Sequence, residues 1–465
     1  MPWSEAVQPV RMERVAVVAP ADRLRDALVH VADAGTVQLD QTSADDRADG
    51  PARRLQRLDA TAATPALAPR TPDLDALERA GRADLLAGEA QLAAYAAGAV
   101  ARGEVAALAG WCPAPELPAL TRRLAPAGCA VAPIPVPPGA QPPTLLAGGT
   151  ELRRSFTPLV RTYGTVPYAD VDPTPVAGAA YVVMFGMMFG DAGHGALLVL
   201  LAVLARLGRP RVLARLRPVW PFIATAGLAA TAFGALYGEL FGPTGALPVL
   251  WLAPLEEPVR LLVVAVALGA VLLAVAYALG IVNRWRESGP RLALYAPSGI
   301  AGAAVFLGLG GVFGGLFVHS GLLTLAGAAV AGAGFVLAAA GLYAGSGGGA
   351  TGVVQTCVGL FDVLVRLGSN LVSFARLAAF GMTHAALGWV VWQGTVALAG
   401  KGWAGVLGAG AVFLAGNALT FTLEALVAGV QALRLEFYEL FSRVFEVEGT
   451  PFRPWHVPMS AEKEP

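Results

Sequence analysis

Polar and apolar positions alternate over short distances along the first 160 residues, and beyond Pro175 they give way to long apolar runs. Residues 12 to 40 read as strand, helix and strand. MERVAVVA is rich in strand formers, ADRLRDALVHVADAG has helical spacing and ends on a capping Gly35, and TVQLD alternates. Residues 45 to 108, rich in Ala, Leu, Arg and Asp, fit one or two helices interrupted between Pro65 and Pro72. A second small lobe is expected from Trp111 to about Val136, ahead of the proline-rich PIPVPPGAQPPTLL.

From Pro175 onward, apolar runs long enough to cross a bilayer recur at 176–206, 219–241, 259–282, 293–318 and 321–344. Two longer segments follow at 354–399 and 405–443, and these carry ionisable and amide side chains inside the apolar pattern. The Arg-rich loops RLGRPRVLARLRP (206–218) and NRWRESGPR (283–291) are expected on the cytoplasmic side. If the N-terminal domain is cytoplasmic too, an even number of crossings must precede Arg206, and a single helix over 176–206 breaks that parity. Either the glycines of GDAGHG (190–195) fold this stretch into a short hairpin, giving eight passes with both termini inside, or the charge bias misleads in a protein held by partners. The expected fold is a polytopic α-helical membrane protein of about eight passes, the last two long and tilted, with a small N-terminal α/β domain. Its expected divisions are 1–165, 166–445 and a cytoplasmic tail at 446–465.

Composition supports this division. Of 465 residues 55% are hydrophobic and 14% charged, with mean hydropathy +0.59, too apolar for one water-soluble core. A formal net charge of zero gives no nucleic-acid footprint. Cys112, Cys129 and Cys357 lack metal-ligand or redox spacing and read as reduced and structural. Arg11, Glu13 and Arg14 stand where a signal peptide would begin, so the first domain is expected in the cytoplasm. No phosphate-cradling loop, zinc-ligand pattern or nucleophile elbow is present, and no cofactor is implied.

An Arg in mid-membrane costs about 2.5 to 3.5 kcal/mol on insertion scales, so Arg376 in LGSNLVSFARLAAFGMTHAALGWVVW needs a reason to exist. Asp362, Arg366, Ser369, Ser373, Arg376 and Thr383 recur at spacings that place them on one helical face, with His384 beside it. Arg366 can pair with Asp362 four residues away, whereas Arg376 is too deep for easy snorkelling. In the following segment Asn417, Thr420, Glu424, Gln431 and Arg434 form a second stripe. Glu424 and Arg434, about 15 Å apart along a helix, cannot pair with each other. Two facing polar stripes make a water-lined ion path. A self-contained secondary transporter, for which no internal repeat is evident, and an anchoring protein without an ion path are the competing readings.

NLVSFARLAAFGMTHAALG resembles the penultimate helix of the membrane stator subunit of V/A-type ATPases, called subunit a in eukaryotes and subunit I in bacteria and archaea. LEALVAGVQALRLEFYELFSRVFEVEGTPFRPW resembles its last helix and tail, including the Glu-to-Arg spacing of ten. DPTPVAGAAYVVMFGMMFGDAGHG is similar to the family's first membrane segment, FGALYGELFG to the element that follows, and GWCPAPELPALTRRL and LVRTYGTVPYADVDPTP to its soluble landmarks. Only about seventy residues separate Asp40 from Trp111, where the family carries a long coiled-coil arm, so the chain looks like a bacterial member with a shortened N-terminal domain. Gly148 stands where the family often has Asn.

The resemblance implies a non-catalytic subunit in the cell membrane, coupling H⁺ or Na⁺ movement to ATP hydrolysis or synthesis. Its implied partners are a ring of small proteolipid subunits, peripheral and central stalk subunits and membrane lipid, with no nucleic acid. Arg376 would be the fixed charge that ring carboxylates pass, Arg434 would assist, and Ser373, Thr383, His384, Glu424 and Gln431 would line the route, with Asp191, His194 and Glu239 as further half-channel candidates. A charge moved through 100 mV gains only about 2.3 kcal/mol, whereas an ion pair at 4 Å in a dry interior is worth up to about 20. Competing hydrogen bonds from groups such as Ser373 and Thr383 are therefore expected around Arg376, so that the rotor does not stall.

Overall fold

The computed structural model describes residues 8–40, 50–58, 64–146, 148–445 and 448–460. They divide into two units, one built from residues 9–147 and 449–465 and the other from 148–448 together with the first eight residues.

The smaller unit is an antiparallel sheet with helices. β1 (Met12–Pro20) alternates buried and half-buried positions, as its strand pattern requires, and is followed by α1 (Leu24–Ala34). Gly35 ends α1 in the left-handed conformation (φ 61°), which a side chain would strain. β2 is Gln38–Leu39, and among the described residues that follow lie α2 (Pro51–Arg57), α3 (Leu74–Arg79) and α4 (Ala83–Ala97). The expected one or two helices are thus at least three, because Pro65 to Pro72 and the capping Asp73 restart the chain twice. β3 (Val100–Arg102), β4 (Val105–Pro113), α5 (Leu117–Leu124) and β5 (Ala130–Pro133) complete the unit.

The strands run β2-β4-β1-β5, with β3 on β4. No separate second lobe forms: β1 pairs with β4 on one side (Val15 opposite Gly110) and with β5 on the other (Val17 opposite Val131), so both stretches share one core. Val15, Val17, Leu28, Val31 and Leu124 fill it. Residues beyond 448 join the same core. Trp455 donates its backbone N–H to Val37 at 2.9 Å and packs its ring 4.6 Å from Tyr95, and Val457 is fully buried. A Cβ on Gly35 would come 2.7 Å from His456, a second reason for glycine there.

The larger unit begins with the amphipathic α6 (Glu151–Tyr163), capped by Thr150. Between 176 and 206 the expected ambiguity resolves into two helices, α7 (Thr174–Met188) and α8 (Ala192–Leu207). α9 (Trp220–Tyr237) reports their directions. Tyr181, Gly186 and Gly190 meet Phe222, Ala229 and Tyr237 in rising order, whereas Asp191, Gly195 and Leu198 meet Gly234, Thr231 and Gly227 in falling order. α7 and α8 therefore run opposite ways, and the chain reverses at 189–191.

α10 (Pro258–Ser288), the short α11 (Pro290–Tyr295), α12 (Ile300–Phe317) and α13 (Gly321–Gly345) follow. α12 and α13 meet through small residues, with Gly308 against Ala331, Gly311 against Gly327 and Gly315 against Thr324, the close backbone approach by which helices associate in lipid. The chain ends its membrane part with α14 (Gly349–Ser373), α15 (Ala375–Ala399) and α16 (Gly402–Leu435). Among the described residues six helical segments are long and apolar enough to cross a membrane, the last two of 51 and 43 residues, while α7 and α8 are shorter apolar helices.

Candidate functional site

The 51-residue segment is not one continuous helix. It breaks at Phe374, whose fully buried ring is seated where a Cβ on Gly269 of α10 would lie 2.3 Å away. The break divides the expected single stripe. Asp362 and Arg366 lie on exposed α14 and pair with each other at 2.7 Å, the local ion pair that their spacing allows. Arg376 stands in the first turn of α15, on the far side of the break.

Arg376 is half-buried, and its Nη2 donates to Ser373 Oγ at 3.3 Å. Ser373 in turn donates to the Glu439 carboxylate through a short hydrogen bond. Arg376 and Arg434 both lie close enough to Glu439 to act on its charge. Thr383, expected among the polar neighbours of Arg376, is instead exposed and bonds its own helix at Ala379 O. Seven residues advance a helix by nearly two turns, about 10 Å, beyond side-chain reach of Arg376.

Glu439 escapes the sequence pattern for a geometric reason. It lies five residues past Arg434, off any α-helical face shared with it, yet residues Glu436–Phe441 form a π-helical turn. A turn that closes i to i+5 is wider than an α-helical one and shifts the face on which its residues lie. Nothing in apolar periodicity reports such a register shift.

A second polar cluster lies deeper along α15. His384 Nδ1 meets the Glu424 carboxylate in a short ion-pair contact from α16. α15 and α16 run antiparallel, with Val391 beside Gly416 and Leu398 beside Gly405, which brings positions 384 and 424 level. His194 of α8 faces His384 with ring centroids 5.5 Å apart. Asp191, Glu239 and Glu424 all lie close enough to His384 to act on its charge. Asp191, His194, Glu239 and His384 are buried. Gln431 and Arg434 sit between the two clusters in sequence, Gln431 half-buried and Arg434 exposed.

Asp191 holds this cluster in place. Its Oδ1 accepts N–H groups from Gly193 (2.8 Å), His194 (2.9 Å) and Phe241 (3.0 Å), and its Oδ2 accepts Gly242 N–H at 2.7 Å. One carboxylate thus caps α8 and ties the α7–α8 reversal to the loop after α9, where Phe241 has φ 52°. Glu239 is positioned by the same tie, since its carbonyl accepts Ala192 N–H at 2.9 Å.

The end of the last helical segment is fixed by Asn283 of α10, which accepts from Val171 N–H at 3.0 Å and donates to Val444 O at 3.3 Å. Beside it, outside the helices, burial and the neighbouring Glu287 raise the Asp170 carboxyl to about 8. In the smaller unit burial pushes the Cys112 thiol up to about 12, leaving it inert; Cys112, Cys129 and Cys357 are all free.

Ionisable side chains gathered between antiparallel membrane helices mark an integral membrane protein with a polar interior. Comparison with known proteins shows what it resembles. A model of the V-type ATPase 116kDa subunit family matches residues 99–216. Over 352 residues the chain is 29% identical to the A-type ATP synthase subunit I of Aeropyrum pernix, covering 65% of this chain and 50% of that protein. The subunit I of Pyrococcus abyssi is 28% identical, with 64% and 45% covered, and the V-type ATP synthase subunit I 2 of Treponema pallidum is 40% identical over 88 residues, 19% of each chain. The chain is thus similar to the V-type ATPase 116kDa subunit family over residues 99–216 and to A-type ATP synthase subunits I over about two thirds of its length. It spans about half the length of the curated relatives it matches.

Proposed function

We propose that this chain is the membrane stator subunit of a rotary V/A-type ATPase, forming ion half-channels against a rotating ring and coupling H⁺ or Na⁺ translocation to ATP synthesis or hydrolysis. The observation that carries the proposal is the environment of Arg376, a guanidinium held at a helix break and shared through Ser373 with Glu439. A charge placed in this way is neither free nor locked, because Ser373 and Glu439 compete for it with any carboxylate that arrives on a partner. Arg434 assists from α16. His384, Glu424, His194 and Glu239, about two helical turns further along α15, line one aqueous half-channel, and Gln431 lies between the clusters. Asp191 serves as the fastening of that half-channel, its lone pairs already engaged by four backbone N–H groups.

The partners are a ring of small proteolipid subunits, each bringing one carboxylate past Arg376, and the stalk subunits that keep stator and catalytic head in register. The chain sits in the cell membrane with the 9–147 unit in the cytoplasm, where its shortened arm meets the peripheral stalk. No ATP chemistry resides in this subunit.

Arg376→Ala in the assembled complex is expected to abolish ring-coupled ion transport while leaving assembly intact, and Arg366→Ala, which breaks only the exposed pair with Asp362, should do far less. Transport near the normal rate in the Arg376 variant would remove this residue from the mechanism.

A further inference from the structure

The buried cluster around His384 has a chemistry that proton conduction does not use up. One carboxylate oxygen of Asp191 and one ring nitrogen from each of His194 and His384 lie within 4.8 Å of one another, and all three side chains are buried. Neither ring nitrogen of His194, at 1% exposure, makes a close hydrogen bond: Asp191 Oδ1 stands 3.8 Å from Nδ1 and Asn417 lies near the ring, so the buried imidazole can still offer a nitrogen to a ligand. His384 presents its Nδ1 to the Glu424 carboxylate, which leaves Nε2 for a ligand. A carboxylate on the far nitrogen is the arrangement that orients metal-ligating histidines and raises their basicity.

Charge favours the same occupant. Asp191 lies 3.8 Å from His194 and Glu424 is in contact with His384, which places two carboxylates against the two imidazoles in a low-dielectric setting. A divalent cation answers both carboxylates at once. Imidazole and carboxylate ligands suit zinc and cobalt, whereas magnesium and calcium prefer all-oxygen sites.

We propose that His194 and His384, with Asp191 and the supporting Glu424, form a binding site for a divalent transition-metal cation of the zinc type. The two imidazoles are the principal ligands. Asp191, with its lone pairs engaged by four backbone N–H groups, contributes a fixed negative charge beside the site rather than a bond to the cation. Zinc bonds of about 2.0 to 2.1 Å put tetrahedral ligand atoms about 3.4 Å apart, so the two ring nitrogens, now within 4.8 Å of each other, draw together on binding. Where the cluster serves as an ion half-channel, a reading on which this consequence rests, the bound cation plugs it.

The test uses the purified full-length chain in detergent, titrated with Co²⁺ and followed by its visible d–d absorption, with Zn²⁺ as competitor. One Co²⁺ displaced by Zn²⁺ is expected. His194→Ala and His384→Ala should each lose the signal, Glu424→Gln should weaken binding about 10- to 100-fold as the loss of a supporting partner does, and His319→Ala should bind normally. Absence of Co²⁺ binding, or binding indifferent to both histidines and to Glu424, overturns the site. Glu424→Gln, which keeps shape, guards against a histidine variant that fails to fold. A second arm adds Zn²⁺ to the complete complex: inhibition of ion transport that His194→Ala relieves supports the plug, and binding without inhibition overturns the plug and the half-channel reading while leaving the metal site standing.

Discussion

Asp170 shows how a single carboxyl writes pH dependence into the membrane unit. In the folded chain burial, with Glu287 adding to it against the pull of Arg284 and Arg286, holds its pKa at about 8, compared with about 3.9 when unfolded. Between those values the folded state binds the extra proton, so the stabilisation is whole below about pH 4 and is lost as pH rises through about 8. Thermal midpoints measured across this range should therefore fall with rising pH, and Asp170→Asn should flatten the fall. An unchanged slope in the variant would assign the dependence to other groups. Arg376 and His384 stand out in the sequence because an ionisable group inside an apolar segment has a cost that demands a reason. Glu439 does not, since its place beside Ser373 depends on a π-helical turn that α-helical spacing cannot announce. Thr383 shares the helical face of Arg376 but lies seven residues, nearly two turns, further along α15, and sharing a face is not the same as being within reach.

At the level of elements, small residues decide what can pack. A Cβ on Gly308 would come 2.3 Å from the backbone nitrogen of Ala331, while one on Gly310 would meet nothing within 4 Å. Gly308→Val is expected to destabilise the α12–α13 pair by about 1 to 3 kcal/mol, the usual cost of overpacking, and Gly310→Val to leave it unchanged; comparison of the two thermal midpoints in detergent checks this. Equal effects would mean that helix propensity, not interhelical distance, governs the pair. The reversal between α7 and α8 could be read from GDAGHG, because three glycines and a capping Asp are a local signal. The break at Phe374 has no such marker. It is created by Gly269 on a helix a hundred residues earlier, so only tertiary structure reveals it. The single sheet formed by β1, β4 and β5 was hidden likewise, since strand partners far apart in sequence leave no trace in either strand's own pattern.

For the whole molecule the division into two units constrains topology. Residues 9–147 and 449–460 share one core, so they lie on one side of the membrane and the number of crossings between them is even. The six long apolar segments among the described residues between them are an even number, as that parity requires. In a background lacking Cys357, Arg102→Cys and Arg453→Cys should react with a membrane-impermeant thiol reagent added to the same side, both positions being exposed. Labelling from opposite sides would contradict the shared core.

The order of synthesis gives that shared core a further consequence. Trp455 and Val457 complete the packing around Val37 and Ala32, yet a ribosome makes them only after every membrane helix has emerged. The first domain translated must wait, with part of its interior uncovered, until more than three hundred later residues have been inserted. Its final closure therefore comes last, and only a chain whose two ends lie on the same side of the bilayer can make it.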